Sequence, residues 1–313
     1  MKAVVVHQYG GPDVLKFEDY PDPVPGPGEV LVRVAAASVN PIDYKRRAGL
    51  TKDSYPINFP GLIGVDVAGT VIAIGSAVEG FSVGDRVFAM ADNTFAELCV
   101  VNAAVLAKVP EGLDLIQAAA LPLATTTGNQ LSSATGIEAG QIVMVVGAVG
   151  SVGRSAVFTA KERGASVFAG VLRRQIDEAK SLGADRVVAT DDGAAISNLP
   201  PLDAVADAVG GRTAEELIAR VKPGGVFASV LGVPQNAARH PSVKAVFVFS
   251  KFDRKTLEFM AEAVRDGKLV IPISQTLPLS KAAEAQAAAE KGSPGNISRS
   301  SPSIWDRGIA MFT

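Results

Sequence analysis

The chain reads as a two-part α/β protein, a doubly wound parallel sheet joined to a strand-rich, folded-over β barrel. Three observations predict it. A buried apolar run, Ile142 to Val146, stops at Gly147; Gly150 and Gly153 follow, and apolar residues then recur at Val152, Ala156, Val157 and Ala160 with helical spacing. From there to residue 266, strand-like runs alternate with helical patterns, as a parallel sheet with crossover helices requires. Before Leu115, short apolar or alternating runs lie between Gly and Pro turns, the pattern of a barrel.

Taken in order, Ala3 to His7, Glu29 to Ala35, Ala68 to Ile74 and Asp85 to Met90 are the expected barrel strands. Pro21 to Gly28 (PDPVPGPG) is a stiff connector that suits neither a helix nor a central strand. Ala118 to Leu123 and the stretch Thr125-Thr126-Thr127-Gly128 begin a helical link. Beyond the glycine turn, Gly164 to Val171, Arg186 to Ala189, Ala204 to Asp207 and Val226 to Leu231 read as strands. Helices are expected near Ala214 to Val221 and Arg254 to Asp266, with a further edge strand in Pro241 to Ser250. Leu269 to Leu277 returns to strand character before an Ala-rich helix from Lys281 to Lys291. The cofactor domain is therefore expected at 123–269, inserted in a catalytic domain of 1–122 and 270–313. Gly292 to Thr313 is Ser/Pro-rich, lacks a strand pattern and holds the sole tryptophan, Trp305. It reads as a tail flexible in its middle portion, with packing through Trp305 as the alternative.

Composition narrows the chemistry. With 313 residues the chain can bury two sizeable cores, and a net charge of −2 disfavours nucleic acid and anionic membrane as partners. No apolar stretch approaches the ~20 residues that span a bilayer, and the first residues are too short an apolar run for a secretory signal. The single cysteine, Cys99, excludes an internal disulfide framework and suggests a reducing, cytoplasmic setting. One Cys and two His, His7 and His240, cannot assemble a multi-ligand thiolate or imidazole zinc site. No GxSxG elbow appears, so a Ser-His-Asp hydrolase is disfavoured as well.

The glycine turn is the strongest local signal. A strand, a tight turn and a helix start aim free helix N–H groups at a phosphate. Three glycines at that spacing turn the chain, admit a pyrophosphate to the backbone and pack the helix on the strand. About 20 residues on, where an NAD site usually places an acid for the ribose 2′-OH, this chain has Leu172, Arg173 and Arg174. Two guanidiniums suit a 2′-phosphate, and so NADPH; the alternative is an exposed basic turn. Asp177 could be a displaced ribose acid, but it fits the first turn of the next helix better.

Several segments in order resemble the medium-chain dehydrogenase/reductase superfamily, in its zinc-independent quinone oxidoreductase and enone reductase branch. They are GPDVLKFEDYPDPVPGPGEVLVRV, SVNPIDYKRRAG, PGLIGVDVAGTV, VEGFSVGDRVFA, the 147–153 turn, SLGAD and DAVADAVGG, and together they extend from Met1 to about Lys291. The resemblance implies a GroES-like barrel and a Rossmann domain. It also implies a departure from the zinc-dependent relatives, whose ligand positions correspond here to Asn40, Val65 and Leu123, and whose four-cysteine lobe is missing. Without thiolate or imidazole there, no Lewis acid can polarise an alcohol.

The chemistry then implied is hydride transfer from NADPH to a quinone or an α,β-unsaturated carbonyl. By resemblance Lys45 stabilises the developing oxyanion; the alternative is a solvated charge run of Lys45, Arg46 and Arg47. Asn40 orients ribose or substrate, or else satisfies local backbone groups. Asp43 pairs with Lys45 or caps a turn. Thr127 contacts the nicotinamide ribose or carboxamide region, or caps a helix. Tyr44 and Tyr55 are possible donors more often used in packing. Ser151, Val152 and Gly153 offer N–H groups to the pyrophosphate, Gly232 admits backbone near the nicotinamide, and Asp207 organises the turn before Gly210-Gly211. The family further implies a homodimer through an edge strand near Val243 to Phe249. A cofactor-binding protein without turnover and an enoyl-thioester reductase are the competing readings.

Overall fold

The computed structural model describes residues 1–292 and the strand at 310–312. Two compact units divide the chain. One comprises Met1–Leu123, Phe252–Arg265 and the chain from Ile273; the other comprises Ala124–Lys251 and Asp266–Pro272.

The first unit opens with β1 (Lys2–Val6), β2 (Leu15–Asp19), β3 (Glu29–Ser38), the helix α1 (Pro41–Arg47), β4 (Gly61–Leu62) and β5 (Asp66–Ile74). It continues through β6 (Arg86–Met90), β7 (Leu98–Asn102), β8 (Ala107–Lys108) and α2 (Leu115–Ala119). Alternation in β3 sends Val30, Val32 and Val34 inward, where they meet Val67, Val71, Val87 and Phe95 in one core. The helix α3 (Pro122–Ala134) leads into the second unit.

There the chain alternates as β9 (Ile142–Val146), α4 (Ser151–Glu162), β10 (Ser166–Val171), α5 (Ile176–Ala179), β11 (Arg186–Ala189) and α6 (Gly193–Ser197). It goes on through β12 (Leu202–Asp207), α7 (Gly211–Ile218), β13 (Val221–Ser229) and β14 (Lys244–Phe247). The six strands form one parallel sheet in the order β11-β10-β9-β12-β13-β14. This is a doubly wound sheet whose order reverses beside β9, the place where such sheets bind ligands. Central β9 is buried on both faces: Val143 and Val145 pack with Ala156, Val157 and Ala160, while Met144 and Val146 join Leu217, Ile218 and Phe227.

The remaining elements are α8 (Arg254–Arg265), β15 (Thr276–Pro278), α9 (Ala282–Glu290) and β16 (Ala310–Phe312). Three expectations change here. The expected domain limits put α8 in the cofactor domain, yet it groups with the first unit. Leu257, Met260 and Ala261 are buried there, and the Arg254 guanidinium lies 5.1 Å over the Phe81 ring. The strand expected over Leu269 to Leu277 is reduced to its last two residues, Thr276 and Leu277, which with Pro278 form β15; Pro272 interrupts the expected run. Ala310–Phe312, where no strand pattern is legible, lies between β15 and β3, pairing antiparallel with one and parallel with the other. Three residues are too few to show a period. Trp305 and the middle of the tail lie outside the described residues.

Gly128 is the contact point of α3 on α4. A β-carbon there would sit 2.3 Å from the Val152 carbonyl oxygen and 2.5 Å from the Ser155 Cβ. Gly128→Ala is expected to destabilise the protein by about 1–3 kcal/mol through overpacking. Urea unfolding reads this as a lower midpoint, and an unchanged midpoint would show that the helices part without strain.

Candidate functional site

The first site element is the turn at the carboxyl end of β9. Gly147 has φ +76°, a left-handed conformation that favours glycine. Gly150 is the N-cap of α4 with an ordinary φ of −72° and no side chain to cover the helix end. Gly153 is where helix meets strand, since a β-carbon on it would lie 2.1 Å from the Gly147 carbonyl oxygen. The three glycines thus divide turning, access and packing among them. The N–H groups of Ser151, Val152 and Gly153 begin α4 and have no partner within the helix, so they offer donors and the positive end of the dipole.

Neighbouring loops complete this end of the sheet. Asp207 accepts from the N–H of Val209 and Gly210 at 3.0 Å and from the Ser229 hydroxyl at 2.7 Å, which fixes the turn after β12. Gly232, beyond β13, has φ +110° and open space where a side chain would project. Thr127 is buried inside α3 rather than at its end, so a helix-capping role does not describe it.

Arg173 and Arg174 form a single tight turn after β10, and both side chains are exposed. Arg173 is not free. Its Nη2 donates to Asp192 at 2.6 Å, and its backbone N–H donates to Asp191 at 2.9 Å. Those two acids escaped the sequence reading because they follow the next strand, β11, rather than β10. Asp177 lies in the first turn of α5 with Lys180 as its partner.

In the first unit the expected residues gather around a buried carboxylate, Asp66. Its Oδ2 accepts from the Ser38 hydroxyl at 2.5 Å and the Asn40 amide at 2.8 Å, and its Oδ1 accepts from the Leu123 N–H at 2.9 Å. The Asn40 amide also donates to Ser38 Oγ at 2.8 Å, so both of its hydrogens are committed. Asp43 is fully buried and accepts from the Asn40 N–H at 2.7 Å at the start of α1. It therefore fills the turn-capping role, and among the described residues it makes no ion pair with Lys45. Burial pushes the Asp43 carboxyl well above the usual range, the backbone hydrogen bond from Asn40 opposing it.

The basic run at 45–47 is not a solvated face. Arg47 is 1% exposed and donates to Gly10 O, Gln286 and Glu290. Arg46 is buried too, 3.6 Å over the Tyr55 ring and 3.5 Å from Asp92, and the Tyr55 hydroxyl also bonds Asp92. Only Lys45 is partly exposed, and no hydrogen bond or ion pair holds its ammonium among the described residues. A cavity of about 340 Å³ in this unit is walled by Tyr20, Arg46, Asn58 and Asp92, and it includes neither Lys45 nor Asn40. Cys99 borders it, but burial lifts that thiol to about 12, so it is unreactive.

Comparisons with known proteins agree across the chain. A family model described as alcohol dehydrogenase GroES-like domain matches residues 26–111, and one described as zinc-binding dehydrogenase matches 182–294. A chloroplast envelope quinone oxidoreductase homolog of Arabidopsis thaliana is 32% identical, covering 92% of this chain and 94% of that protein. A chloroplastic NADPH-dependent alkenal/one oxidoreductase of the same plant is 36% identical, covering 74% of this chain and 63% of that protein. The solved quinone oxidoreductase of Coxiella burnetii superposes with a TM-score of 0.85 at 30% identity, over 100% of this chain and 98% of that one.

The zinc named in the second family description does not fit these residues. Val65 and Leu123 have no donor atom in their side chains, and the Asn40 amide is already spent on Ser38 and Asp66. Among the described residues no group of three or more His, Cys, Asp or Glu could hold a metal ion.

Asp66 gives a pH dependence with a definite sign. Burial raises its pKa from 3.8 to about 6, against the opposing hydrogen bonds from Ser38, Asn40 and Leu123. The folded state therefore keeps this proton longer than the unfolded chain. The stability it contributes is full below 3.8 and is lost as pH rises through about 6. The loss amounts to about 3 kcal/mol at most. Asp66→Asn should remove that slope, so its stability relative to wild type should rise from pH 4 to 7 in urea unfolding. Parallel curves for the two proteins would refute the assignment.

Proposed function

This chain belongs to the quinone oxidoreductase and enone reductase branch of the medium-chain dehydrogenase/reductase superfamily, and we propose that it reduces a quinone or an α,β-unsaturated carbonyl with NADPH and without a metal. The observation that carries this reading is the Gly147–Gly153 turn with the exposed guanidiniums of Arg173 and Arg174 at the same end of the sheet. Bound NADPH supplies a hydride from its nicotinamide C4, leaving oxidised NADP⁺. Ser151, Val152 and Gly153 hold the pyrophosphate through backbone N–H groups. Arg173 and Arg174 take the 2′-phosphate as forked donors. Gly147 and Gly150 keep the approach open, and Thr127 and Gly232 border the nicotinamide end.

The acceptor gains a hydride at carbon, or at a quinone ring, and its carbonyl oxygen becomes anionic until solvent delivers a proton. Lys45 supports that oxygen with an ammonium that no neighbour among the described residues neutralises. Asn40, with both amide hydrogens committed, presents a carbonyl and so orients a donor such as a ribose hydroxyl. Asp43 and Asp66 hold Asn40 and α1 in place and are positioning residues.

Two copies are proposed to pair through β14, which ends the parallel sheet with Phe247 and Phe249 exposed beside it. Light scattering should then give the mass of a dimer, and a monomer mass at micromolar concentration would rule it out. No helix among the described residues is long and apolar enough to cross a membrane. A lone reduced cysteine fits a reducing compartment, which we take to be the cytoplasm.

The direct test is NADPH and NADH oxidation against a small quinone, an enone and an enoyl thioester. Turnover of the first two with NADPH is expected; no turnover with any acceptor would leave a binding protein, and preference for the thioester would change the substrate class. Lys45→Met should lower kcat by about 10²-fold while NADPH affinity changes little. A full-rate variant would return Lys45 to the protein surface as an ordinary charge.

A further inference from the structure

The ribose end of the second unit contains a contact that charge count alone does not reveal. The strands β10 and β11 run parallel with Val171 opposite Ala189, so the turns that follow them lie side by side. One turn brings Arg173 and Arg174, the other Asp191 and Asp192. Arg173 is bound twice, through its guanidinium to Asp192 and through its backbone N–H to Asp191. The second oxygen of Asp192 accepts from the N–H of Ala194 at 3.0 Å and Ala195 at 3.3 Å, at the N-terminus of α6. That cap pins the carboxylate in place. Arg174 is exposed and has no partner among the described residues.

We propose that Asp192 is a specificity-determining residue, a fixed carboxylate that competes with a ribose 2′-phosphate for Arg173 and so sets how strongly NADPH is preferred over NADH. The inference rests on the dinucleotide reading above. A 2′-phosphate needs the Arg173 fork, and to engage it the guanidinium must exchange Asp192 for phosphate oxygens. Arg174 needs no such exchange. The displaced carboxylate then faces a phosphate carrying a charge of about −1.5 to −2, and the like charges repel. A ribose 2′-hydroxyl behaves oppositely, because it is a donor and finds an acceptor in the same carboxylate. The site therefore holds the two classes of selectivity group on adjacent strands, and Asp192 tempers the arginines.

Asp192→Asn tests this cleanly. Asparagine caps a helix as well as aspartate does, so α6 keeps its N-terminal acceptor while the charge is removed. Binding of NADPH and NADH is measured by fluorescence titration on the full chain at low salt, with thermal midpoints as a fold control. The ratio Kd(NADH)/Kd(NADPH) should rise by about five-fold in Asp192→Asn, as for loss of one partly screened charge contact. It should fall in Arg174→Gln. An unchanged or lower ratio in Asp192→Asn, with wild type binding normally, overturns the role given to Asp192. Wild type that binds neither cofactor overturns the dinucleotide reading beneath it.

Discussion

A β-carbon on residue 153 would stand 2.1 Å from the Gly147 carbonyl oxygen, and that prohibition governs the second unit. Only glycine lets α4 start directly over the end of β9. With the helix seated there, its first three N–H groups find no partner among the described residues. Gly128 makes the matching concession on the far side, where α3 closes on α4. The cluster of N–H donors at this end of the sheet is thus a product of close packing, and no charged side chain is needed to create it. Charged side chains enter only at the turns after β10 and β11, where Arg173 meets Asp191 and Asp192.

In the first unit the ordering element is a buried acid. Asp66 draws together the end of β3, the entry to α1 and Leu123, and three donors converge on it. Burial still outweighs those donors, since its pKa rises to about 6. Asp43 is raised as well, by the same cause. Two buried carboxyls, Asp43 within α1 and Asp66 beside its start, organise this part of the unit through hydrogen bonds. On the same helix Arg46 and Arg47 are buried, and Lys45 has no ion-pair partner among the described residues. One turn of helix therefore presents a single cation.

Much of this was legible in the chain. Strong apolar periods marked β3, β9, β10 and α4, and the glycine spacing marked the turn between β9 and α4. What escaped depends on partners distant in sequence. Arg47 looks like a surface charge until Gln286 and Glu290, some 240 residues on, supply its acceptors. Asp192 bears on Arg173 only because β11 lies beside β10 in register. Ala310–Phe312 becomes a strand through its neighbours and not through any pattern of its own. The helix α8 follows the cofactor strands in the chain, but its apolar face belongs with the first unit.

Hydride transfer without a Lewis acid is the chemistry proposed for these residues. The side chains of Val65 and Leu123 cannot ligate a cation, Asn40 is bound into the Asp66 network, and Lys45 is proposed to supply the positive charge in a metal's place. The most direct measurement uses protein dialysed against a strong chelator and verified zinc-free by elemental analysis. It is given NADPH deuterated at nicotinamide C4 together with a simple enone. Metal-free transfer predicts undiminished turnover, with deuterium recovered on the β-carbon of the saturated product. Turnover that disappears with the metal and returns on adding zinc would contradict it.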